Sequence, residues 1–278
     1  MKLHYLGTAA AEGFPGLFCN CPVCARLRAD GDPAQYRTRS QTLIDGELLV
    51  DFPPDTYLHF LREPALDLSA VKHLLITHSH ADHFYPEDIV LRCPCFSTTL
   101  TGKLHVYGNA KMADRCRALI AASPPSFGAG DFLEIHTLEP FVTVELGGYR
   151  VTPVLADHAA GEDSFLYVIQ REGKTLLYGN DTGIQLCQET WEALAGFCFD
   201  LLSLDCTACD RSVARNHMGV PNNQALVERL TLLGAVNHQT QVVITHFTHH
   251  KALTQQQLEA LVQPMGWRVA YDGFQITL

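Results

Sequence analysis

Apolar runs broken by turns fill most of the chain, and their periodicity separates strand from helix. Alternating or continuous apolar runs bounded by turn residues predict strands over residues 3–6, 42–51, 73–77, 104–107, 142–146, 150–155, 164–170, 175–179, 201–204, 241–245 and 268–270. Apolar positions that recur at three- and four-residue spacing predict helices over 110–122, 189–195, 222–233 and 254–262, with Asn222 and Thr254 as N-caps. Strands thus crowd each half of the chain and are followed by helices. That order predicts an α/β fold in which two sheets pack face to face with helices outside. No internal repeat, low-complexity tract or Pro/Gly-rich linker divides the chain, so one domain is expected over 1–278.

Charge narrows the partners. Twenty Lys+Arg against thirty Asp+Glu leave a net charge of -10, which repels phosphate backbones and argues against nucleic acid as a partner. The visible basic run, Arg26, Arg28, Arg37 and Arg39, reads as a solvated loop face. The first six residues read as a strand, not as an apolar export signal, and no apolar stretch reaches the roughly 18 residues that span a bilayer. No membrane partner is expected. Ten cysteines in a chain this long, three of them within six positions, fit reduced thiols and a metal site better than disulfides, and hence the cytoplasm.

The densest chemistry follows an apolar strand. Leu74-Leu75-Ile76-Thr77 runs into His78-Ser79-His80-Ala81-Asp82-His83, four metal-ligand side chains in six residues. Imidazoles at alternate positions of an extended chain point to one side, while the following Asp and His turn toward a second ion. This H-x-H-x-D-H run resembles the signature of the metallo-β-lactamase superfamily. The resemblance implies an αβ/βα four-layer sandwich and a two-metal hydrolase. It also implies three later ligands at strand ends, and His158, Asp181 and His246 stand where apolar runs stop. One divalent ion (zinc or manganese, or iron) would then be held by His78, His80 and His158. The other would be held by Asp82, His83 and His246, with Asp181 bridging and Asp82 also counted among the catalytic residues. Asp51, closing the run Leu48-Leu49-Val50, matches the superfamily's early strand-end Asp, which orients a ligand histidine.

A second cluster narrows the likeness. Cys19-Asn20-Cys21-Pro22-Val23-Cys24 places three thiols in one turn, a soft-metal signal that needs one more ligand for tetrahedral zinc. Such a knot resembles the branch that includes the phosphoribosyl cyclic phosphate phosphodiesterases of the carbon–phosphorus lyase pathway and the pyrroloquinoline quinone biosynthesis protein B. By that resemblance His249, three residues after His246, closes a structural zinc site. The segment Arg215-Asn216-His217-Met218 resembles the one that brings a histidine to the scissile phosphate, which makes His217 a general acid or phosphate ligand. Cys206 and Cys209 read as a buried strand-end pair or a ligand pair, while Leu204-Asp205-Cys206 resembles the relatives' Asp-Cys segment, which implies that Asp205 shapes the pocket wall. Cys93 and Cys95 share the first ambiguity, and Cys116, Cys187 and Cys198 read as core.

The expected activity is hydrolysis of a small, cyclic phosphodiester by a metal-activated hydroxide. A lactonase-like ester hydrolase, a ribonuclease Z-like nuclease, a quinone-biosynthesis relative and a metal-binding sensor without turnover remain as alternatives, and a homodimer stays open. The complete signature separates the chain from the quinone relative, which departs from it at the metal-binding histidines. The charge, and the lack of a long basic Gly-rich insertion, separate it from the nuclease.

Overall fold

In the computed structural model every residue except 65, 99, 101, 251 and 252 is described. The strands are β1 (Lys2–Gly7), β2 (Gln41–Ile44), β3 (Leu48–Val50), β4 (His73–Leu75), β5 (Leu104–Gly108), β6 (Leu133–Thr137) and β7 (Val144–Leu146). They continue with β8 (Tyr149–Leu155), β9 (Phe165–Arg171), β10 (Lys174–Gly179), β11 (Leu201–Asp205), β12 (Gln241–Thr245), β13 (Arg268–Val269) and β14 (Phe274–Thr277). Two mixed sheets result, in the orders β14-β1-β2-β3-β4-β5-β6 and β13-β12-β11-β10-β9-β8-β7. Strands β3 to β6 and β10 to β13 run parallel, and the rest of each sheet is antiparallel.

Three apolar layers explain the sandwich. Leu3, Tyr5, Ile44, Leu75, Tyr149, Tyr167, Tyr178 and Val243 fill the space between the sheets. Trp191 and Leu194 of the helix Gln188–Ala195, with Leu226 and Leu230 of the helix Val220–Leu232, cover the outer face of the second sheet. Met112, Ala113 and Cys116 of the helix Ala110–Ala122 cover the first. Helices outside, sheets inside: these are the two packed sheets that the pattern predicts and the four-layer sandwich that the resemblance implies.

Several expectations are corrected. The run 42–51 is two strands, because Asp45 and Gly46 both adopt positive φ (52° and 76°) and turn the chain back as a hairpin. Asn222 does not cap its helix: Gly219 is the N-cap, and Asn222, one turn in, accepts the Gly219 and Val213 amides. Thr254 is an N-cap, its hydroxyl accepting from Gln257 N. Strands β6 and β14 and the helices Pro22–Asp30 and Thr56–Arg62 went unpredicted, their apolar positions being too few or too mixed. Arg37 is not a solvated loop residue. It is buried, donating to Thr8 Oγ1, the Ala270 carbonyl and Gln255 Oε1. Cys116 is core, but Cys198 is exposed and Cys187 only half-buried. No disulfide joins described cysteines. Among the described residues no helix is long and apolar enough to cross a membrane.

Candidate metal centre

The strands carry polar side chains out where each one stops and its side chains are freed from the sheet. Asp51 follows β3, His78 to His83 follow β4, His158 follows β8, Asp181 follows β10, Asp205 ends β11 and His246 follows β12. Asp51, Asp181 and His246 sit in the left-handed region (φ 64°, 60° and 63°), a strained conformation for side-chain-bearing residues that turns each one sharply off its strand.

Asp181 occupies the middle. Its Oδ2 lies 3.4 Å from His78 Nε2, 3.2 Å from His158 Nε2, 3.2 Å from His83 Nε2 and 3.8 Å from His246 Nε2. Besides a group formed with Asp205, His217 and His246, two donor sets share it. His78, His80 and His158 form one, with His158 Nε2 3.2 Å from His80 Nδ1, and Asp82, His83 and His246 the other, with His83 Nε2 3.1 Å from His246 Nε2 and 3.4 Å from Asp82 Oδ2. A tetrahedral ion with bonds of about 2.0–2.2 Å sets its donors roughly 3.3–3.6 Å apart, so the spacing fits two ions around one carboxylate. His78 Nε2 supports the fit independently: it is buried without a hydrogen-bond partner among the described residues, an orphan that a metal would satisfy.

The surroundings hold these rings in one orientation. His83 Nδ1 meets Asp51 Oδ2 at 2.7 Å, and Asp51 Oδ1 accepts both Thr77 N and Thr77 Oγ1 at 2.9 Å. His246 Nδ1 lies 2.8 Å from Thr207 Oγ1 and 3.5 Å from Asp205 Oδ2. His158 Nδ1 donates to the Asn216 carbonyl at 2.9 Å. In each case Nδ1 is occupied and Nε2 faces the centre. The loop bearing His80 is tied down by buried Glu162, which accepts Ser79 N, Ser79 Oγ and Asn109 Nδ2.

Electrostatics follow the same geometry. Burial would lower His83, but the Asp51 and Asp82 carboxylates override it and hold the ring well above the ordinary histidine range. Burial and the neighbouring His83 push His78 well below it. Burial opposes the charge of Asp181, yet His246, His217 and His83 keep its carboxyl well below the usual range. His217 enters from the loop before Gly219: its Nδ1 lies 2.8 Å from Asp181 Oδ1 and 3.2 Å from Asp205 Oδ2, and these contacts outweigh burial and raise it to about 10.

Asp205 is the residue that the sequence reading undervalued. It does more than form a wall: Oδ2 faces His217 and His246, and Oδ1 accepts the amides of Thr207 and Met218, which fixes the loop carrying His217. The available signal was its position, an Asp closing an apolar strand like Asp51 and Asp181. Asp157, paired with the exposed guanidinium of Arg215 at 3.0 Å, was likewise missed.

The cysteine knot forms as a separate cluster. Cys19, Cys21, Cys24 and His249 offer ligand atoms all within 4.8 Å of one another. Cys21 caps the helix Pro22–Asp30, so Cys24 lies one turn on and its buried thiol accepts Gly16 N at 3.3 Å. The Cys24 amide lowers the Cys21 thiol to about 6, and burial pushes the Cys24 thiol up to about 11. Gly16 is needed for packing: a Cβ there would meet the His249 ring at 2.6 Å. His249 Nδ1 is buried without a hydrogen-bond partner among the described residues, an orphan that a metal-binding cluster would satisfy. Cys206 and Cys209 pack instead with Val220, Ile244 and Phe247.

This fold and constellation define the chain's class. Residues 47–247 match the beta-lactamase superfamily domain, and the chain belongs to that family. It is 24% identical over 281 aligned residues to an octanoyltransferase of Porphyromonas gingivalis, covering 99% of this chain and 51% of the relative. The chain therefore spans about half the length of that curated relative, and it matches a coenzyme PQQ synthesis protein B of Azoarcus at 32% identity over 93 aligned residues, covering 30% of this chain and 31% of that one. Among solved structures, a new diphosphatase from the PhnP family superposes with a TM-score of 0.73 at 24% identity, covering 100% of this chain and 97% of that one. Zinc-bound PqqB from Methylobacterium extorquens does so with a TM-score of 0.73 at 20% identity, covering all of both chains.

Proposed function

We propose that the chain is a metal-dependent phosphodiesterase acting on a small, cyclic phosphodiester. The observation that carries this reading is the position of Asp181: one carboxylate oxygen lies between two donor sets, and the other lies against the half-exposed ring of His217. His78, His80 and His158 would hold one divalent ion and Asp82, His83 and His246 the other, with Asp181 shared between the two sets. Zinc, manganese and iron all accept such an N/O set. A bound pair supplies a water made nucleophilic near neutral pH and charge stabilisation at phosphorus.

The remaining work falls to the chain. Asp51 and Thr207 occupy Nδ1 of His83 and His246, so each presents Nε2 inward. His217, held at Nδ1 by Asp181 and Asp205, keeps Nε2 for the substrate and gives a proton to the departing alkoxide there. Such a donor matters for a phosphodiester, whose alkoxide leaves poorly without one. Cys19, Cys21, Cys24 and His249 would hold a structural zinc, and the shared segment Thr245 to His249 would couple it to His246. The negative net charge speaks for a small-molecule partner over nucleic acid, and the thiol-rich knot for a cytoplasmic setting. A diphosphatase shares the fold, which is compatible with phosphoester chemistry.

The test is a panel of cyclic nucleotides, cyclic sugar phosphates, bis(p-nitrophenyl) phosphate and lactones, run with metal-replete protein and again after chelation. Chelator-sensitive turnover of the phosphodiesters is expected. Lactone hydrolysis without phosphodiester turnover would assign the site to carboxylic esters instead.

A further inference from the structure

At the opposite end of β4 from His78, a row of histidines crosses the first sheet. His73 pairs in register with His105 and His105 with Glu134, while Tyr107 pairs with His136 on the same face. That face is the one on which Leu75 and Tyr107 join the inter-sheet core, so the row lies at the rim of the core where apolar side chains would ordinarily continue. The rings stack: His73 on His105 at 5.5 Å, His105 on His136 at 5.3 Å and Tyr107 on His136 at 4.4 Å between centroids. On the far side, a Cβ at Gly147 in the β7–β8 turn would meet the His73 ring at 2.8 Å, so the second sheet closes over one end.

Three donor atoms converge within this row. His105 Nδ1 lies 3.0 Å from His136 Nε2, and Glu134 turns Oε2 to the first at 3.9 Å and Oε1 to the second at 3.8 Å. Cis donors around one ion with bonds of about 2.0–2.2 Å lie roughly 2.9–3.6 Å apart, so a small movement of the half-exposed Glu134 completes the triangle. Burial and the neighbouring His105 lower His136, which disfavours its charged form. The competing cation is Lys103, 3.6 Å from Glu134 with nearly half of each side chain in water, a pairing weak enough to yield.

We propose that His105, His136 and Glu134 form a third metal site, open to solvent, for a divalent transition ion of zinc type, independent of the catalytic and thiolate centres. Its place explains its use. The ligands come from adjacent strands β5 and β6, and β6 is the edge of its sheet, so an ion there clasps the edge strand to its neighbour.

Metal-replete, desalted protein titrated with zinc tests this by calorimetry and elemental analysis. One further equivalent should bind and raise the melting temperature, because the folded state alone presents the three donors. His136→Ala should remove that equivalent while leaving the resident metals in place. Glu134→Gln, a mild change at a half-exposed position, should weaken it roughly tenfold or more. A bare hydrogen-bonded histidine stack would not feel that substitution. Absence of further zinc uptake, uptake that survives both changes, or a silent Glu134→Gln would each overturn the site.

Discussion

Asp51 Oδ2 stands 2.7 Å from His83 Nδ1, and both side chains are sealed from solvent. The carboxylate selects the tautomer in which Nε2 faces Asp181 and His246, and its second oxygen is locked by Thr77. Asp51→Asn keeps the shape but loses the charge that holds this proton on Nδ1. Metal affinity should fall roughly 10–100-fold, the usual cost of losing such a partner, read as residual metal after dialysis against a chelator. Unchanged occupancy would mean that packing alone orients His83.

The shared carboxylate makes a sharper expectation. Elemental analysis and anomalous scattering should find two ions flanking Asp181, and Asp181→Ala should lose both or leave one loosely held. A single ion under metal-replete conditions, with Asp82 and His246 turned away from it, would exclude a dinuclear centre.

At the cysteine knot, Cys21→Ser should release about one equivalent of zinc and lower the melting temperature, because a closed thiolate site contributes directly to folding. Partial loss of metal at His246 should accompany it, since His249 lies three residues on. Full metal content with unchanged melting would reduce the knot to packed thiols.

His217→Ala separates acid catalysis from ligation. Both catalytic ions should remain, while turnover of a phosphodiester with an alkoxide leaving group falls by roughly 10²–10⁴. With nitrophenolate, which departs unprotonated, the loss should be much smaller. Equal losses on both would indicate phosphate binding; loss of metal would make His217 a ligand, as its contact with Asp181 also permits geometrically.

Away from the centre, His59 offers a pH readout. It is buried between Gln41 Oε1 and Thr38 Oγ1 at 2.6 and 2.7 Å, and burial pushes it down to about 4. The unfolded chain, with its ordinary value near 6.5, binds this proton first, so stability is complete above about pH 6.5 and declines toward pH 4. The slope is about 1.4 kcal/mol per pH unit in the steep part. Denaturation midpoints of the wild type and His59→Asn should converge as pH falls through that window. Parallel curves would show that the ring is already protonated in the native state.

How much of this was legible in advance depends on range. The H-x-H-x-D-H run, the thiol knot and the strand ends carrying Asp51, His158, Asp181 and His246 are local patterns, because ligand chemistry requires particular side chains and strand periodicity requires apolar neighbours. The sandwich was legible for the same reason: enough strands kept their alternation to specify two sheets. The split of 42–51 was missed although Asp45-Gly46 announces a hairpin, since apolar residues on both sides masked the turn. Other facts exist only between distant segments. Nothing near Asp205 announces that it will meet His217 and His246, and nothing near residues 105, 134 and 136 announces their convergence. Strand register decides those contacts, and register is set by the packing of whole sheets, not by neighbours in the chain.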